Sequence, residues 1–76
     1  MYIITAGEKY YPLQGMDDLY TVTDDLDKAL SISKGILGRS LIKLDNGYKC
    51  RGEWVQVFNL ETRTYEFSAD AKTYHD

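Results

Sequence analysis

The stretch Thr23-Asp24-Asp25-Leu26-Asp27-Lys28-Ala29-Leu30-Ser31-Ile32-Ser33-Lys34-Gly35-Ile36-Leu37-Gly38 carries the clearest structural signal in the chain. Asp24 is of the type that caps a helix by accepting a backbone N–H, and Asp25 and Asp27 place negative charge in the positive first turn. Leu26, Ala29, Leu30, Ser33 and Leu37 fall on one face of a 3.6-residue period, and Ile32 and Ile36 widen that stripe to one side. The spacing predicts an amphipathic helix over 24–37 that packs through Leu26, Ala29, Leu30 and Ser33. Lys28, Ser31, Lys34 and Gly35 take the opposite side, and Gly38 is a natural stop.

On either side of the helix the pattern changes to strands. Tyr2-Ile3-Ile4-Thr5-Ala6 and Leu19-Tyr20-Thr21-Val22-Thr23 are rich in β-branched and aromatic residues. Between them, 8–18 holds the single proline, Pro12, with Gly15 and paired aspartates, and reads as a loop in which Tyr10 and Tyr11 extend a hairpin. Beyond the helix, 41–44 and 48–50 flank Asp45-Asn46-Gly47, a hairpin signal because Asn and Gly both accept positive φ. Strands over 53–58 and 64–68 form a second hairpin, with Val55 and Val57 on one face and Trp54, Gln56 and Phe58 on the other. Residues 69–76 hold little apolar material and read as a tail, leaving 1–68 as one domain. The order implies an α+β fold, an antiparallel sheet of four to six short strands with one helix on one face, in ββαββ-like order.

Composition narrows the function. With 76 residues there is room for one domain and little for a deep cleft. The lone Cys50 excludes an internal disulfide and a multi-cysteine metal site, and fits a reducing compartment. The opening residues turn polar at Gly7-Glu8-Lys9, unlike a secretory signal, and no apolar run approaches the roughly 18 residues of a membrane span. The only histidine, His75, is penultimate, so no Ser or Cys triad assembles, and Cys50 beside Lys49 and Arg51 reads as a small strand residue. Asp17, Asp18, Asp24, Asp25 and Asp27 match no calcium-loop spacing. The expectation is a non-enzyme that needs neither metal nor cofactor.

The net charge of −3 hides a bipolar chain: residues 1–30 carry −4, 31–52 carry +4 and 53–76 carry −3. Seven tyrosines exceed what so small a core can hold, and exposed tyrosine favours protein interfaces. These features make Tyr11, Asp17, Asp18 and Tyr20 the candidate protein-binding residues. The alternative is a nucleic-acid surface of Arg39, Lys43, Tyr48, Lys49, Arg51 and Trp54, where cations would meet phosphates and rings would stack on bases.

Thr23-Asp24-Asp25-Leu26-Asp27-Lys28-Ala29-Leu30, followed by Gly52-Glu53-Trp54-Val55-Gln56-Val57-Phe58-Asn59-Leu60-Glu61-Thr62, resembles many small phage-encoded accessory proteins. These join a short strand, a capped helix and a hairpin ending in an Asn/Asp-Leu-Glu-Thr turn. The resemblance implies a host-takeover or anti-defence protein, in the cytoplasm of a bacterial host, that binds and inhibits or redirects a host protein. It transfers no site residue. A monomer and a homodimer are both compatible with the sequence.

Overall fold

The computed structural model describes residues 1–7 and 18–72. Strands β1 (Tyr2–Gly7) and β2 (Leu19–Thr23) precede helix α1 (Leu26–Ile36). The short β3 (Ile42–Lys43) and β4 (Lys49–Cys50) follow, then β5 (Trp54–Asn59) and β6 (Thr64–Asp70). Four strands form an antiparallel sheet in the order β2-β1-β5-β6, and β3 and β4 make a separate hairpin. This is the α+β arrangement that the sequence predicts.

The core lies between α1 and one face of the sheet. Ile4, Ala6, Val55 and Val57 point into it from the central strands β1 and β5, Ala29 and Ile36 from the helix, and Ile42, Leu44 and Cys50 from the hairpin. The hairpin thus closes one end of a core that helix and sheet alone would leave open. On the uncovered face, Ile3 stands opposite both Val22 and Phe58, and Phe58 opposite Tyr65, so one apolar row crosses all four strands. The Phe58 and Tyr65 rings meet edge to face at 5.2 Å.

Several local expectations are corrected. Asp25, not Asp24, is the N-cap: Lys28 N–H donates to Asp25 Oδ1 at 3.2 Å, while Thr23 Oγ1 accepts from Asp25 N–H at 3.3 Å. Ala29 and Ser33 of the expected packing face are buried, but the face of the helix is turned by about 40°, at 100° per residue, away from Leu26 and Leu30 and towards Ile36. Its buried line is Ala29, Ser33 and Ile36, with Ile32 and Leu37 against the cluster and Leu26 and Leu30 half-buried outside it. The small Ala29 and Ser33 let the backbone approach the sheet, and the Ser33 hydroxyl satisfies itself on Ala29 O at 2.8 Å.

In the β3–β4 turn only Gly47 takes positive φ (91°), not Asn46. Leu44 N–H donates to Tyr48 O at 2.8 Å and Gly47 N–H to Leu44 O at 2.9 Å, the pattern of a three-residue loop with glycine in the left-handed position. Strand β6 runs past Ser68, pairing Ala69 with Val55 and Asp70 with Trp54. Backbone pairing with β5 carries it further than its apolar content suggests. Residues 73–76, the end of the expected tail, and residues 8–17, which hold Tyr10, Tyr11 and most of the loop expected over 8–18, lie outside the described residues.

Candidate functional site

Of the expected acidic–tyrosine site, the structure describes Asp18 and Tyr20. Tyr11 and Asp17 lie outside the described residues, and Asp18 is buried at 5% exposure. Tyr20 is half-buried. The β1–β2 register steps from Ile4↔Thr21 to Thr5↔Leu19, so Tyr20 is the extra residue of a bulge and its side chain packs on the core cluster.

The basic set divides. Arg39, Lys43, Tyr48, Lys49 and Arg51 are exposed, whereas Trp54 is only 5% exposed and offers no ring for stacking on a base. Its indole packs over Gly7, directly across the β1–β5 ladder. A Cβ on Gly7 would lie 2.5 Å from the indole, so the ring occupies the space that a side chain would need. Trp54 lies on the strand face opposite Val55 and Val57, as alternation places it, yet is buried there.

One groove brings members of both expected sets together. A cavity of about 390 Å³ opens between the C-terminal half of α1 and the β3–β4 hairpin, lined by Tyr20, Ile32, Gly35, Arg39, Leu41 and Lys43 among others. Two joints fix its walls: Gly38 N–H donates to Gly52 O at 2.7 Å, and Gly52 N–H to Arg39 O at 2.9 Å. Gly52 has no room for a side chain there, because a Cβ would run into Ile36 O. Arg39 Nε donates to Gly35 O at 3.0 Å, tying the guanidinium to the helix end. Leu41, expected within a strand, instead stands 62% exposed at the rim. Among the described residues the two ion pairs are those of the Met1 amine with Asp24 and Glu61, so no carboxylate neutralises Arg39 or Lys43.

Sequence reading missed Gly35, Ile32 and Leu41 as site residues. A glycine inside a helix with no turn to make, and the apolar pair Leu41-Ile42 between Arg39 and Lys43, were the available signals. Among the described residues no three His, Cys, Asp or Glu side chains converge to hold a metal ion, and no helix is long and apolar enough to cross a membrane.

The family model described as bacteriophage T4 protein Y07C matches residues 2–68. The chain belongs to the bacteriophage T4 protein Y07C family. It is therefore a phage protein, as the resemblance implied, and the Y07C match takes in the helix, the hairpin and every groove residue named above. Neither a curated protein nor a solved structure matches it.

Proposed function

We propose that the protein is a non-catalytic binding protein that inhibits or modulates a host bacterial protein in the host cytoplasm. It acts, on this reading, through the face that α1 and the β3–β4 hairpin share. The observation that carries the proposal is the groove itself, where exposed Leu41 and half-buried Tyr20 sit beside two cations that no described carboxylate neutralises. Apolar anchors inside a charged rim are what a protein partner uses for affinity and orientation. The burial of Asp18 removes one carboxylate from the acidic alternative and favours the groove.

A nucleic-acid role keeps one observation in its favour, the exposure of Arg39, Lys43, Tyr48, Lys49 and Arg51. It loses its best stacking ring with Trp54 and works against a net charge of −3. Affinity capture from a bacterial host lysate, with and without nuclease, tests the choice when parent and Arg39→Glu/Lys43→Glu proteins are run side by side. A protein retained by the parent through nuclease treatment and lost by the double variant supports the proposal. Loss of every partner to nuclease overturns it.

A further inference from the structure

We infer that the groove receives an acidic, apolar-anchored segment of the partner protein and that Gly35 is the residue that keeps it open. The inference rests on the reading that this face binds a protein. It starts from a glycine with no structural reason to be one.

Of the described glycines, Gly38 and Gly47 adopt positive φ (85° and 91°), and Gly7 and Gly52 stand where a Cβ would collide. Gly35 does neither: its φ is not positive and nothing lies within 4 Å of a Cβ placed there. Inside a helix glycine is the least favourable residue after proline, so alanine would serve the fold better. Gly35 lines the groove, and a long side chain at this position would stand in it.

The chemistry of the walls selects the occupant. Ile32, Leu41 and Tyr20 offer apolar contact. Arg39 keeps its terminal guanidinium nitrogens for a ligand, because the bond to Gly35 O at 3.0 Å uses only Nε. That planar fork matches a carboxylate in two parallel hydrogen bonds, and Lys43 adds a second positive charge. Two cations over an apolar floor suit a glutamate or aspartate next to a leucine or phenylalanine. A nucleic-acid strand would ask for a longer track of cations and for stacking rings.

The test is titration of isotope-labelled protein followed by amide NMR shifts. The probes are the peptide acetyl-Glu-Glu-Leu-Phe-Glu-Glu-amide, its all-glutamine counterpart, and an oligothymidylate of about ten nucleotides. The acidic peptide should shift the amides of Gly35, Arg39, Leu41 and Lys43, and its glutamine counterpart should bind about tenfold more weakly, because the charge-assisted bonds are gone. Gly35→Gln should weaken peptide binding at least about tenfold while melting no lower than the parent. If that variant does not fold, Leu41→Ser carries the same expectation for binding. No shifts at the groove, or equal binding by the groove variants, would overturn the inference. So would an oligothymidylate that shifts the same amides at lower concentration, which would assign the groove to nucleic acid. Should the peptide fail while Arg39→Glu/Lys43→Glu still abolishes capture of a nuclease-resistant host protein, the binding face stands and this occupant falls.

Discussion

Gly7 and Trp54 form a matched pair across β1 and β5, in which the absent side chain of one makes room for the ring of the other. Adding a methyl group to Gly7 forces a buried indole to move. Gly7→Ala should therefore destabilise by about 1–3 kcal/mol, as overpacking of a filled site does, and urea unfolding measures it. Arg63 is the opposite case. It holds φ 59° in the β5–β6 turn, where its N–H donates to Asn59 O at 2.8 Å, and left-handed backbone costs a non-glycine residue about 1–2 kcal/mol. Arg63→Gly should stabilise the protein by up to about 1 kcal/mol, read as a rise in melting temperature. Neither position was legible beforehand. Alternation gives the face of a strand residue, but whether a residue such as Trp54 is covered there depends on its cross-strand neighbour, and Gly7 is 47 residues away in the chain.

At the scale of the element, the helix separates what periodicity can and cannot say. Its existence, approximate limits and Gly38 stop follow from local chemistry. Its rotation about its own axis does not, because Leu26 and Leu30 are larger and more apolar than the Ala29 and Ser33 that face the sheet. Burial alone favours the leucines. Close approach of the helix backbone favours the small residues, and close approach prevails. Ile36→Ala should accordingly cost about 2–5 kcal/mol and lower the melting temperature by more than about 8 °C, while Leu30→Ala, outside the core cluster, costs clearly less. Equal losses would mean that the expected face packs after all. The cap gives a second contrast. Asp25→Ala should cost about 1 kcal/mol, whereas Asp24→Ala removes no cap and only a 3.9 Å surface ion pair with the Met1 amine, and thermal unfolding of both variants resolves the difference.

For the whole molecule, the charge map read from the sequence was informative about which segment is basic but silent about what that segment meets. The groove forms because α1 and the hairpin, separated in the chain, are stitched together at Gly38, Arg39 and Gly52. Tyr20 reaches it only through a bulge in β2. No local pattern encodes either event, so Tyr20 and Arg39 fall into rival site assignments although both line the groove. Surface charges contribute little to folding, and Arg39→Glu/Lys43→Glu should melt within a few degrees of the parent even where it loses its partner, as calorimetry can verify. The seat of Trp54 has a practical side. As the single tryptophan, enclosed beside Gly7 and absent from the groove lining, it is a built-in fluorophore whose emission should redden when the domain unfolds and stay unchanged when the groove fills. Ligands can then be screened without a label by the temperature at which that colour change occurs.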